Sequence, residues 1–364
     1  MPKKDEIRLE IRGKVFEHWE GITISRALDQ VVDSFAVSAP FDPDRAELRQ
    51  AFRPFGYQKV KVYLGDDLLL TGYLDKVEHS LSATDRKVKL QGRSLAGQIV
   101  DCSIDGPLEY NFKFLADLAI SHCAPFGITV RWPNNRPIES ARATYGQQVY
   151  DHIKSHADLA NLFLYSSPEG EVVIYWGKEL LKVKSSAALV EGESPLLSIS
   201  TSFDGSQRFS KYKAASQYAG EPDIEDFIED KSVSIHRPHL VISGGMDVGE
   251  GGEDELSLNR TARKLMAQSL YRSFSITATV SGWRDANGKV WMKDKYLKEK
   301  NAADITAVTL KAPSVALYKE RSYIVINCTM SIDESQGRVT ELHLVPAESL
   351  AGDPRLEVEP WVQT

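Results

Sequence analysis

Two histidines four residues apart, His152 and His156, come nearest in type and spacing to a reaction centre. On a helix, positions i and i+4 share a face, so both imidazoles are placed to hold one metal ion. The zinc-hydrolase form of this pattern needs a glutamate directly after the first histidine, and Ile153 stands there instead. No further ligand cluster lies nearby, so the pair reads as surface or interface histidines. The glycine-rich stretch 244–255 has the look of a phosphate loop but lacks the Gly-Lys-Ser/Thr ending, and its acids repel phosphate. Asp247, Glu250, Glu253, Asp254 and Glu255 offer oxygens for a weak Ca²⁺ site, yet the EF-hand spacing is absent. A flexible acidic loop is the expectation there. Cys102, Cys123 and Cys328 are too few and odd in number for a disulfide framework, and read as mostly buried free thiols. There is no Gly-x-Ser-x-Gly nucleophile elbow. Carboxylates abound, but sequence does not give the separation that a glycosidase pair requires. Trp19, Trp132, Trp176, Trp283, Trp291 and Trp361 are scattered, as core or interface anchors would be, not as a sugar platform. No catalytic, cofactor-binding or metal-binding residue is therefore predicted, and no cofactor.

The elements that would position any chemistry are mostly strands. Residues 7–13 alternate apolar and polar, and 22–26 and 34–38 continue that pattern. Residues 58–64 and 68–74 read as a hairpin around Gly65-Asp-Asp, and 76–81 with 87–93 as another around Ser82-Ala-Thr-Asp. From about residue 107 the period changes. Residues 112–123 carry helical spacing up to Pro125, and 146–161 form a second amphipathic helix with Val149, Ile153, Ala157 and Ala160 on one face. A hairpin of 162–165 and 171–176 follows. Residues 196–203 and 209–218 look like a long strand pair, and 256–271 like a third helix. Strands are expected at 273–280, 305–310, 323–332 and 338–345.

Composition sets outer bounds. The 364 residues, 42% apolar and 26% charged, are an ordinary globular composition large enough for about two to four domains. Net charge is 44 minus 51, or −7, which argues against a nucleic-acid grip. The charged start, Met1-Pro-Lys-Lys-Asp-Glu, shows no signal-peptide pattern, and no apolar run nears the ~20 residues of a membrane helix. Assembly in a cytoplasm, with no membrane insertion by this chain, is the expectation.

A faint internal echo is the most informative feature. Residues 73–97 and 323–352 each run strand, polar turn, strand, then Ser-Leu-Ala-Gly, at Ser94–Gly97 and Ser349–Gly352. This fits two similar β-barrels in one chain, and three such chains would set six barrels in a ring closed by heterologous contacts. The expected fold is α+β, mainly β, with two antiparallel β-barrel domains, a small α+β domain and a further small inserted domain. The expected division is 1–105 for the first barrel, 106–188 for the α+β domain, and 189–218 with 272–352 for the second barrel. An inserted acidic loop and helix occupy 219–271, and an extended, exposed tail 353–364.

The run Val60-Lys-Val-Tyr-Leu-Gly-Asp-Asp-Leu-Leu-Leu-Thr-Gly-Tyr-Leu-Asp-Lys-Val, with Lys89-Leu-Gln-Gly-Arg-Ser-Leu-Ala-Gly-Gln-Ile-Val-Asp-Cys-Ser, resembles the baseplate hub proteins of Mu-like contractile-tailed phages. These belong with the late-control tail proteins and the hub part of type VI secretion spikes. The resemblance covers most of the chain and is weakest over 219–256 and 285–303. It implies a structural protein, not an enzyme: a homotrimer with a wide lumen, joining the sixfold tail tube to the threefold puncturing spike among other baseplate proteins. DNA would pass the lumen without specific binding, and the net charge of −7 leads to the expectation of a bore that is acidic or neutral. The chain lacks the repetitive C-terminal β needle of secretion spikes, which implies that the spike is another polypeptide. Two other classes fit a β scaffold, a cell-wall hydrolase and a host-glycan-binding tail adhesin. Solution mass, peptidoglycan turbidity and glycan binding separate the three.

Overall fold

The computed structural model describes residues 5–362 apart from 112, 134, 136, 139–140, 160–161, 217–223, 244–257, 293–294, 298–301, 334–336 and 353–358. Strands form where the sequence alternates. In Ile7–Ile11 every second side chain is buried, and Val60, Val62 and Leu64 are buried between Lys59, Lys61 and Tyr63. Both predicted hairpins of the amino-terminal region are present, but they share one 15-residue strand, Asp67–Leu81.

A 13-stranded sheet runs through both β regions, and it contains a repeat. In the amino-terminal module the spatial order is Gly21–Ala27, Ser34–Pro40, Arg86–Ser94, Asp67–Leu81, Lys59–Leu64, Ile7–Ile11. In the carboxy-terminal module it is Leu196–Phe203, Phe274–Ser281, Gly337–Val345, Leu317–Asp333, Ala307–Ala312, Ala187–Val190. The two orders correspond position by position, and the strands follow one another along the chain in the same succession. Register shifts recur too, at Leu74/Lys76 and Val325/Asn327 in the long hairpins, and at Val62/Tyr63 and Leu310/Ala312 one strand further on. Such bulges bend a long strand so that its two halves serve different neighbours. The last pair differs: Ile7–Ile11 runs antiparallel to its neighbour, Ala187–Val190 parallel.

Two separate closed barrels are not what the pairing gives. Among the described residues no sheet closes on itself, and the modules merge where Gly21–Ala27 pairs with the second half of Leu317–Asp333. The 17-residue length of that strand explains this: its first half is taken by Ala307–Ala312, and the rest of that edge is filled from the other module. The tetrapeptide echo also dissolves. Ser94 ends a strand and Gly97 opens the helix Gly97–Asp101, whereas Ser349 lies within the helix Ala347–Ala351 and Gly352 caps it at φ 73°. The repeat resides in strand order, not in Ser-Leu-Ala-Gly.

Three further expectations are corrected. Leu196–Phe203 does not pair with the strand that follows it but with Phe274–Ser281. Lys211–Ser216 instead centres a separate three-stranded sheet between Ile224–Glu229 and Pro238–Ser243. Part of the stretch read as an acidic excursion is thus strand, at Ile224–Glu229 and Pro238–Ser243. Residues 244–255 lie outside the described residues. Tyr212 and Ala214 of this small sheet are buried, and the Tyr212 hydroxyl donates to Ser269 Oγ at 2.6 Å on the helix Leu258–Ser273. At the carboxy end, residues 359–361 dock instead of lying free: Trp361 packs on Phe203 and Phe274, and Pro360 accepts a hydrogen bond from the Tyr318 amide. Residues 353–358 lie outside the described residues.

The α+β region has its own core. Helices Leu115–Cys123 and Val149–Leu159 cover the sheet of Leu162–Ser166, Val172–Trp176 and Val130–Arg131. Val149, Ile153 and Ala157 are buried, as helical spacing predicts, while Ala160 lies outside the described residues.

Candidate functional site

The most heavily built polar site is a junction, not a pocket. In Gly21–Ala27 the alternation buries Ile22, Ile24 and then Arg26, which is 2% exposed. Arg26 Nε donates to Asp33 Oδ2 at 3.0 Å, Nη1 to the Met292 carbonyl at 2.7 Å, and Nη2 to the Ser166 carbonyl at 3.4 Å. One guanidinium therefore joins the first module to the α+β region and to the second module. Its planar fork of donors suits three divergent acceptors. The Ala27 amide donates to Asp33 Oδ1 at 3.1 Å, and the Asp33 amide donates to Ser94 Oγ at 3.1 Å. Ser166 Oγ donates to the Val31 carbonyl at 2.7 Å. Burial pushes the Asp33 carboxyl above its ordinary range, and the Arg26 charge opposes that. Met292 holds a left-handed backbone, φ 51°, and its carbonyl is the one Arg26 clasps.

Other cross-links follow the same logic. Arg284 of the second module donates to Asp5 at 3.0 Å, to Asp67 at 2.6 Å and to the Leu64 carbonyl at 3.1 Å, all in the first. Tyr271 on the inserted helix donates to Asp29 Oδ2 at 2.7 Å, and Lys264 to the Asp158 carbonyl. These last contacts line a cleft of about 370 Å³ where the helices of residues 149–159 and 258–273 approach residue 29. Its charges are mixed, with Asp29 and Asp158 beside Lys154, Lys264 and Arg272. The arrangement locks pieces together; it does not polarise a bond.

The structure also relocates the singled-out residues. His152 is 1% exposed, so it is not a surface histidine; it lies against His156 and against His122, which the sequence reading overlooked. Cys123 and Cys328 are buried free thiols and Cys102 is half-buried. Trp283 and Trp291 are core residues and Trp132 is partly exposed. Glu6, Glu17 and His18 gather on the surface with ligand atoms within 4.8 Å of one another, an arrangement common among solvated acids. Arg26 and Asp33 escaped the sequence reading, although an arginine in phase with buried isoleucines was the available signal.

A repeated sheet module, tied to the α+β region by buried Arg26 and to the inserted helix by Tyr271, reads as a structural subunit. Residues 6–94 match the family profile of the Mu phage baseplate assembly protein GpP-like N-terminal domain, and residues 96–175 that of the baseplate hub protein gp44-like second domain. The baseplate hub protein gp44 of Escherichia phage Mu is 23% identical over 366 residues, spanning 94% of this chain and 88% of its own. A 43 kDa tail protein of prophage MuSo2 from Shewanella oneidensis shares the fold, with TM-score 0.76, 24% identity and coverage of 95% of this chain and 99% of that one. So does a tail protein from Neisseria meningitidis MC58, with TM-score 0.77, 20% identity and coverage of 97% and 99%. The chain is thus similar to the baseplate hub proteins of Mu-like phages, by profile over residues 6–94 and 96–175 and by sequence over most of its length. These matches are structural hub proteins, not enzymes.

Proposed function

We propose that three copies of this chain form a ring at the phage baseplate, joining the sixfold tail tube to a threefold puncturing spike. The observation that carries this reading is the matched strand order of the two modules. Two look-alike modules per chain give a trimer six near-equivalent units on the tube side, while the unique α+β and inserted regions keep threefold identity for the spike. The buried arginine links support the same role, because a symmetry adaptor must hold its modules at one fixed angle. DNA passes through the ring without being gripped, in keeping with the net charge of −7, so the bore is acidic or neutral.

Sedimentation of the purified chain tests the assembly. The reading predicts a species of three times the 40.6 kDa chain mass, populated increasingly as concentration rises. A persistent monomer that clears a peptidoglycan suspension would support the hydrolase class, and a persistent monomer that binds glycans the adhesin class.

A further inference from the structure

Three imidazoles meet where helix Leu115–Cys123 contacts helix Val149–Leu159. The ring centres of His122 and His152 are 5.3 Å apart, and those of His152 and His156 are 5.2 Å apart. The Tyr110 ring closes one side, 4.9 Å from His122. His122 and His152 are 6% and 1% exposed, and the Nε2 atom of each is buried without a hydrogen-bond partner. A buried polar atom left unpaired is costly. Two such atoms on touching rings are an expensive way to fill space that leucine or phenylalanine fills at no polar cost.

We propose that His122, His152 and His156 form a three-nitrogen site for a borderline transition-metal cation of the Zn²⁺ class, which staples the two helices of the α+β region together. The spacing fits. Two imidazoles bound to one tetrahedral ion at the usual Zn–N length of about 2.0–2.1 Å have ring centres about 5 Å apart. His152 and His156 supply the i, i+4 pair from one helix, and His122 supplies the third nitrogen from its neighbour. The rings are inclined at 58° and 88° to one another and not stacked, so rotation about the Cβ–Cγ bonds turns their nitrogens toward a common point. The nitrogens of His122, His152 and His156 do not all lie within 4.8 Å of one another, so ring rotation is required to bring them onto one ion. His156 is only half-buried, which gives an ion its way in. Three protein nitrogens leave the fourth position to water.

Burial, then the neighbouring imidazoles, holds His152 down to about 4, and burial with His156 holds His122 below the usual histidine range. Cys123 does not join the set, because burial pushes its thiol up to about 12.

The test uses the tag-free full chain, stripped with chelator and titrated with Zn²⁺ alone or Co²⁺ alone. The expected result is one ion per chain and the visible d–d bands of four-coordinate Co²⁺. The melting temperature should rise by roughly 3–6 °C at a hundredfold excess over the dissociation constant. His156→Gln should weaken Co²⁺ binding by at least about tenfold while leaving the metal-free melt unchanged, since that side chain is half-exposed. His122→Gln is the second variant and should weaken binding likewise, with its fold checked by far-ultraviolet circular dichroism. Absence of a Co²⁺ band in the unmodified chain would overturn the proposal. Binding in His156→Gln within about tenfold of the unmodified chain would overturn it as well.

Discussion

Arg26 occupies a position its strand reserves for an apolar side chain, and that choice shapes the molecule's energetics. A buried ion pair adds little over an apolar replacement, but removing one partner strands a charge. Arg26→Ala should cost about 3–5 kcal/mol in urea unfolding, and Arg26→Ala with Asp33→Ala should recover part of that loss. No change in the single variant would mean that the junction does not hold the parts together. The strand's alternation could have placed residue 26 inward but says nothing of what it meets, because Asp33, Ser166 and Met292 lie 7, 140 and 266 residues away. His122 was overlooked for the same reason, since the helical period reveals neighbours on one helix but not across two. Thiol chemistry belongs to this scale as well. Cys123 and Cys328 are buried, and the Cys123 thiol is held near 12, so a thiol reagent should label only the half-buried Cys102 in the native chain. Labelling of a second thiol at the same rate would contradict that burial.

At the scale of elements, local alternation carried most of the assignment. The hairpins of the first module, the two helices of the α+β region and the long hairpin near the carboxy end were legible because their apolar spacing is set by neighbours two to four residues away. Partners were not legible. Lys211–Ser216 alternates like any strand, and only the tertiary fold pairs it with Ile224–Glu229 and Pro238–Ser243 in place of Leu196–Phe203. One short loop stands apart from these packing rules. Phe55 and Tyr57 hold left-handed backbones at φ 57° and 45° while 89% and 65% exposed. Each such residue costs roughly 1–2 kcal/mol, and within a single subunit two aromatics in water repay none of it. Phe55→Gly should therefore stabilise the isolated chain by about 1 kcal/mol in thermal melts. The same change should shift the self-association midpoint to higher concentration. A variant that gains stability and associates as before would show that this loop takes no part in the proposed self-association.

For the whole molecule, the internal echo pointed to a repeat, and the strand order contains one, yet barrel closure was beyond the sequence. Closure depends on which free edge finds which partner, and Gly21–Ala27 takes the edge of Leu317–Asp333. That exchange welds the two modules into one body, which serves a symmetry adaptor better than two barrels on a flexible link. Charge is argued at this scale too. With 51 acidic against 44 basic side chains, the assembled ring should give no saturable fluorescence-anisotropy signal with duplex DNA at physiological salt. Tight, salt-sensitive binding would mean a basic bore and would contradict passage without grip.

Averaged electron-microscope images of the assembled chain, viewed down the ring axis and analysed for rotational symmetry without imposing any, bear most directly on whether duplicated modules let three subunits present six units. The account predicts a closed annulus with threefold power and a strong sixfold component from the outer sheet modules. A twofold particle, or an annulus whose threefold power has no sixfold companion, would contradict it.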